Sequence, residues 1–483
     1  MNNTSIISIV RSFTKGDIKS FDDFVKSPYF NKKSAVIKLW DVIKRKAPAF
    51  KDEELKRENL YLEVFPDKSF NYGTMKNLIF ELTKLAEKFL ELEFYKEDDY
   101  FNYYYELGGL LSKGQMKQYA SRCAEIEKHL ADSTEFDGEN YDKLFNLKWF
   151  KLEYIYSNIA KDASKKEVFL ISKYLIYDFI IKLIKSYINE KGIELEYNYK
   201  EKDSVSEKFF DHIDFEDFIR SIEPDSEKDS RILSVHYKLY RSVSSPENLS
   251  YYYDYKESLL KNTELFSIDE RRVLYSGLRI ALIFVSFHNN INYDAEIFGI
   301  YKVMLEDGAV LNYYGNIELI VFANYIAYAS RAGDAGFITS FLSSYLEKIP
   351  EEHRENMKLF GEANIYYIEN DYDKSLEVLL KVDEKIIRIK RASKNLEMMI
   401  HYERNDYDSF LYTSDSYKHF ISRNKSIPKN AKTGIMNTVN YVNRLFRLRE
   451  KSSRAEREKL TNEIRKEKIA IKGWLLEKIK EIK

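Results

Sequence analysis

From Asn71 onward the apolar residues Met75, Leu78, Ile79, Leu82, Leu85, Ala86, Phe89 and Leu90 recur at intervals of three and four, the spacing that gathers side chains along one stripe of a long α-helix. Upstream, shorter helices are predicted near 3–12, 15–26, 33–46 and 53–64. They are separated by Ser27-Pro28-Tyr29-Phe30-Asn31, by Pro48 and by Phe65-Pro66-Asp67, where proline interrupts a helical run. Residues 1–98 thus read as a small N-terminal helical bundle. From 99 to 443 the pattern becomes paired helices with short connections near 162–164, 243–246, 290–293, 333, 370 and 405, and with a polar loop at Lys200–Ser206. In the last block, 444–483, Leu460, Ile464, Ile469, Ile471, Trp474, Leu475 and Ile479 mark one more apolar stripe, so this segment reads as a packed terminal hairpin.

Several helix starts carry their own signals. Ser164 with Glu167, Ser267 with Glu270 and Ser453 with Glu456 have the spacing of a capping box, in which hydroxyl and carboxylate satisfy orphan backbone donors reciprocally. Ser245-Pro246 places a hydroxyl before a proline suited to a first helical position. The chain has only 16 Gly and 7 Pro in 483 residues, which leaves long helices with little to break them. The expected fold class is all-α.

A four-residue echo fixes the period. Asn370-Asp371-Tyr372-Asp373 returns as Asn405-Asp406-Tyr407-Asp408, and Gly333-Asp334 stands one further unit upstream, followed by Pro350. Repetition of this kind marks stacked helical hairpins, each burying a face against the next. Over 353–382, Leu359, Ala363, Tyr366, the Asn370 turn, Tyr372, Ser375 and Leu379 resemble the tetratricopeptide pattern of large, small, aromatic, turn, aromatic, small and large positions. The unit 319–350 keeps Phe322, Gly333, Leu342 and Pro350 at matching offsets, whereas after Asn405 the likeness decays, Phe410 standing where a small residue belongs.

The resemblance implies a right-handed solenoid of antiparallel hairpins over 99–443, capped by the bundle of 1–98. It also implies a concave surface that commonly receives peptide segments. In that family the concave face comes from the first helix of each pair, which carries over to Ala327, Ser330 and Arg331, then Phe360, Asn364, Tyr367 and Ile368, then Asn395, Met399 and Tyr402. Asn364 matches an asparagine that some members use to hold a peptide carboxylate. The companion basic positions are Ala392 and Leu396, so the wall suits an apolar or amphipathic segment better than a C-terminal carboxylate. Arg331, Phe360, Asn364, Tyr367, Ile368, Asn395, Met399 and Tyr402 are therefore the candidate partner-binding residues.

Charge and chemistry narrow the function without naming it. The net charge is −1, from 77 basic and 78 acidic residues, and gives no global field for nucleic acid or anionic membrane. Residues 444–483 hold 14 Lys or Arg against 7 Asp or Glu, and a basic hairpin of that kind could meet phosphates. The interspersed Glu450, Glu456, Glu458, Glu463 and Glu467 instead suit ion pairs one helical turn apart.

The lone Cys123 and seven scattered histidines leave no ligand set for a metal and no disulfide, which fits a reducing compartment. No phosphate-loop, dinucleotide or hydrolase-elbow motif occurs, no apolar stretch approaches a membrane span of about 20 residues, and the first residues lack the pattern of a secretory signal. Pro224-Asp225-Ser226-Glu227-Lys228 reads as an interhelix turn. Arg122 with His129 and Arg231 with His236 resemble the arginine–histidine spacing of a small all-helical ribonuclease family, but Cys123 and Ile232 stand where that family has a polar residue. Tyrosine clusters at 100–105 and 251–255 belong to a chain with 39 Tyr and 31 Phe. The expectation is a non-catalytic, cofactor-free cytoplasmic scaffold that binds a peptide or helical segment in an aromatic-lined groove. The alternatives are nucleic-acid association through 444–483 and a helical ribonuclease.

Overall fold

The computed structural model describes the chain apart from residues 1–3, 51, 98, 133–134, 159–163, 198–200, 202, 223–225, 290–292, 313, 384, 425–426, 428, 452, 468, 470 and 483. It is all-helical, with 80% of residues in helices. Among the described residues the only β-type pairing is one isolated parallel bridge between Phe136 and Phe266. The contacts divide the chain into two compact units, Met1–Glu127 and Lys128–Lys483.

The first unit contains α1 (Ser5–Arg11), α2 (Lys15–Lys26), α3 (Ser34–Lys44), α4 (Arg57–Val64), α5 (Tyr72–Glu97) and α6 (Asp99–Ser112). The division falls within α7 (Met116–Asp132). α2 opens on a complete capping box: Thr14 Oγ1 accepts from the Asp17 N–H at 3.1 Å and the Asp17 carboxylate accepts from the Thr14 N–H at 2.8 Å. The centre is Trp40, fully buried, edge-on to Phe21 at 4.7 Å and donating its indole N–H to Asp22 at 3.0 Å. Burial alone would raise the Asp22 carboxyl, but Lys44, Lys26 and Trp40 together hold it below its ordinary value.

The α5 stripe is buried at Met75, Leu78, Ile79, Leu82, Ala86 and Phe89, while Leu90 is 42% exposed, because the turn of about 100° per residue carries it past the edge of the stripe. The helix expected over 53–64 divides into a 3₁₀ turn, Asp52–Leu55, and α4, with Lys56 extended between them.

The second unit begins with the packed pair α8 (Asn140–Asn158) and α9 (Ser164–Tyr197). It continues through α10 (Val205–His212), α11 (Phe215–Ser221), α12 (Glu227–Ser244), α13 (Leu249–Leu260), α14 (Ile268–His288) and α15 (Tyr293–Glu306). The long α9 packs against α12 and α14. Two expected caps differ here. Ser245 ends α12 instead of opening α13, which starts after Asn248, whose side chain accepts from the Ser250 N–H. Ser267 does cap α14, but Glu270 does not return the bond, since its carboxylate is drawn to His236 and Lys185. The side chains of 164–167 and residues 223–225 lie outside the described residues.

Three hairpins with one turn chemistry follow: α16 (Leu319–Arg331) with α17 (Ala335–Tyr345), α18 (Glu351–Ile368) with α19 (Tyr372–Leu379), and α20 (Ile387–Glu403) with α21 (Tyr407–Arg423). Gly333, Asn370 and Asn405 take positive φ angles of 71°, 63° and 55°, the left-handed C-terminal cap that glycine and asparagine tolerate best. The next residue is each time an aspartate whose carboxylate accepts from a backbone N–H three residues on: Asp334 from Phe337 at 2.9 Å, Asp371 from Lys374 at 3.3 Å and Asp406 from Ser409 at 3.0 Å. The sequence echo is therefore a helix stop followed directly by a helix start. The first helices α16, α18 and α20 pack on one another, and α20 also packs on α22 (Lys429–Glu450). α23 (Arg454–Lys466) and α24 (Lys472–Glu481) complete the chain.

One apolar core runs from Phe136 to Ile400, and a second joins Met398, Tyr402 and Phe410 to α22, α23 and α24. Tyr367 packs at the edge of both.

Candidate functional site

The eight candidate residues do not all come together. Phe360 and Asn364 are 1% and 3% exposed, and the Asn364 amide donates to the Phe360 carbonyl at 2.7 Å, so this pair lies inside the helix packing. Arg331, Tyr367, Ile368 and Met399 line a cleft of about 190 Å³. Arg331 is pinned there, its guanidinium donating to Asp294 of α15 at 2.9 Å and lying over the Tyr328 ring. Asn395 is half-buried on α20, and Tyr402 is 4% exposed.

Tyr402 is buried between α22, whose Phe446 ring lies 5.1 Å away and whose Arg449 lies over it, and the last helix of the chain. Helix α24 lies against the same face of α18 and α20, and Trp474 meets the Tyr402 ring edge-on at 5.4 Å. The Trp474 indole N–H donates to the Tyr367 hydroxyl at 3.0 Å, across 107 positions of sequence, and that hydroxyl lies 3.4 Å from the Glu403 carboxylate. One turn further on, Lys478 Nζ meets Glu403 at 2.9 Å with both side chains largely buried. Burial, then the Glu403 charge, pushes the Tyr367 phenol well above its ordinary value, so the hydroxyl stays neutral and can both accept and donate. Burial alone would lower the Lys478 ammonium, but hydrogen bonds to Glu403 and Glu481 keep it above its ordinary value.

The two faces of α24 have different tasks. Leu475 and Ile479, four residues apart, are buried in the same core as Leu445 of α22 and Leu460 and Ile464 of α23. Trp474 and Lys478, also four apart, present polar-tipped side chains to the α18–α20 wall. The close approach is made at Gly473, where a Cβ would collide with the Asp294 carboxylate. The apolar stripe in 444–483 was legible in the sequence; the wall it meets was not, because nothing local to residue 474 records residue 367 or 402.

A second polar centre also escaped the sequence reading. His236 is fully buried, with Nδ1 2.9 Å from the Ile232 carbonyl and Nε2 3.0 Å from Glu270, while Lys185 reaches the other Glu270 oxygen at 2.6 Å. Burial would raise Glu270, but His236 and Lys185 bring it below its ordinary value. Phe136 and Phe266 close on the imidazole edge-on at 6.1 and 5.9 Å, and the cluster joins α9, α12 and α14. The neighbouring Arg231 is bonded to Asn262 at 2.6 Å and paired with Glu264. Arg122 donates to Glu106 and Glu125, each at 2.8 Å, which engages the guanidinium without a phosphate.

No protein-family model, curated protein or solved structure matches the chain. Among the described residues no His, Cys, Asp and Glu side chains gather in threes to hold a metal ion, and no helix is long and apolar enough to cross a membrane.

Proposed function

We propose that the protein is a non-catalytic interaction scaffold, a right-handed solenoid of tetratricopeptide-like hairpins whose concave wall, formed by α16, α18 and α20, receives an amphipathic helix. The observation that carries this reading is the seating of α24: residues singled out from the sequence as a partner-binding wall, Tyr367, Met399 and Tyr402, meet a helix in the chain itself. The wall offers a helix aromatic faces, a hydroxyl and one carboxylate. This combination suits an aromatic anchor with a nearby cation.

The basic block 444–483 favours the same reading over nucleic-acid binding. Arg444 pairs with Glu463, Arg454 with Glu458 and Lys478 with Glu403, while Arg449, Arg457 and Lys472 donate to backbone carbonyls. The three ion-paired cations have their charge met within the chain, so they contribute little to counterion release from phosphates.

The test is a photoreactive benzoylphenylalanine in place of Tyr372, beside the cleft, in the intact chain within its own cells. Discrete protein adducts that vanish when Ile368→Arg is added support the scaffold. Adducts to nucleic acid, or protein adducts indifferent to Ile368→Arg, overturn it.

A further inference from the structure

The contacts of α24 with the wall specify a ligand more closely than the wall alone does. Trp474 supplies a ring that fits edge-on against Tyr402 and an N–H that the Tyr367 hydroxyl accepts at 3.0 Å. Lys478 supplies a cation, one helical turn along, to a Glu403 carboxylate whose side chain is 14% exposed. The Trp474 and Lys478 contacts therefore define the chemistry that an occupant of this face has to supply: a ring N–H for Tyr367 and a cation for Glu403.

The occupant does not fill the face. The cleft beside it is bordered by Arg331, Ile368 and Met399 on the wall and by Trp474, Glu477 and Lys478 on α24, so a competing helix has a foothold next to the contacts it must replace. The wall-facing residues of α24 each end in a polar group bonded to the wall, the Trp474 N–H to Tyr367 and the Lys478 ammonium to Glu403, whereas Leu475 and Ile479 have no such bond and lie in the core shared with α22 and α23.

We propose that α24 is a resident stand-in for a partner, an inference that rests on the scaffold reading above. The partner is an amphipathic protein helix with an indole or comparable N–H-bearing ring that meets Tyr367 and Tyr402, and a lysine or arginine four residues later that meets Glu403. It binds by displacing α24, so the free protein is self-occupied and its affinity for partners is set by competition.

The experiment is calorimetric titration of the full-length chain with a synthetic peptide spanning residues 471–482, using three forms of the protein: the parent, Trp474→Phe and Lys478→Ala. Both variants keep the apolar face of α24, and circular dichroism checks that they remain folded. They should bind the peptide about tenfold or more tightly than the parent does, the difference expected when a charge-assisted or buried hydrogen bond of the competitor is lost. Peptides with alanine in place of Trp474 or Lys478 should bind about tenfold more weakly to either variant. Glu403→Lys in the receiving chain should abolish binding of the parent peptide and restore binding of one carrying Lys478→Glu.

Equal affinity for parent and variants, or affinity indifferent to the two peptide substitutions, overturns the proposal. So does a stable dimer of the variants in light scattering, which would make a second copy the occupant. If peptide exchange fails while Ile368→Arg still removes the protein adducts, the stand-in role falls and the scaffold remains; if both fail, the scaffold falls with it.

Discussion

Hairpins α18–α19 and α20–α21 share one turn and differ inside. In the first, Ser375 is fully buried and its hydroxyl donates to the Ala363 carbonyl at 2.7 Å, so a small side chain spans a close approach of two helices. In the second, the position is taken by Phe410, equally buried, which turns toward Phe446 of α22 with ring centroids 5.0 Å apart. The space between α20 and α21 is filled by a polar network: Glu397 accepts from Thr413 at 2.7 Å and from Lys394 at 2.6 Å, with His401 beside them. The turn is a local device, set by an asparagine at positive φ and a capping aspartate. The interior is set by whatever lies across the next interface. One can be copied while the other is rebuilt.

The largest effect that would break this contrast is at Phe410. Phe410→Ala should cost about 3–5 kcal/mol, the range for deleting a buried aromatic ring, and should loosen α22, measured by chemical denaturation. A loss below about 1 kcal/mol would mean that the second hairpin does not depend on its outward ring.

The polar interior holds a buried, depressed carboxyl, whereas the depressed carboxyls of the first hairpin, Asp371 and Glu377, lie at its surface. Burial alone would raise Glu397, but His401, Lys394 and Thr413 bring it down to about 2 from its ordinary value of 4.5. A carboxyl depressed in the folded state adds stability that is complete above its unfolded value and disappears as pH falls toward its folded value. Up to about 3 kcal/mol should therefore be lost between roughly pH 4.5 and pH 2. Glu397→Gln should remove that share of the acid dependence in parallel denaturation curves. An unchanged acid limb would show that the network carries no such linkage.

Ser375→Phe transplants the second interior into the first and should cost about 1–3 kcal/mol through overpacking, because no equivalent of the Phe446 side is there to receive the ring. A denaturation midpoint equal to the parent's would show that the two interiors are interchangeable. The smallest effects should be equal in both hairpins: Asp371→Ala and Asp406→Ala should each cost about 1 kcal/mol, since each removes one cap from the same geometry. A difference of more than about 1 kcal/mol between them would mean that the turn is not the autonomous unit described here.

This division also explains what could be seen in the sequence. The turns at 333, 370 and 405 were legible because stop and start signals occupy adjacent residues. The buried stripe of α5 was legible because its period is local, and Leu90 strayed from it only by one step of rotation. Ser267 and Glu270 have the spacing of a capping box, yet the Glu270 carboxylate serves His236 and Lys185 from other helices. Ser245-Pro246 carried a start signal that Asn248 fulfils instead. For the candidate site, the repeat offsets place Arg331, Tyr367, Ile368 and Met399 together, and these line one cleft, but the same offsets include Phe360 and Asn364, which lie inside the helix packing, and Trp474 reaches Tyr402 from more than 70 positions away, beyond any periodicity.

Trp474 has one more consequence. The chain has only three tryptophans: Trp40 sealed in the first unit, Trp149 half in solvent, and Trp474 edge-on to the Tyr402 ring with its N–H bonded to the Tyr367 hydroxyl. An indole moved from that setting into water emits at longer wavelength and no longer collects excitation from its tyrosine neighbours. The protein thus carries its own unlabelled optical gauge, in which the colour of its fluorescence reports whether the last helix is seated.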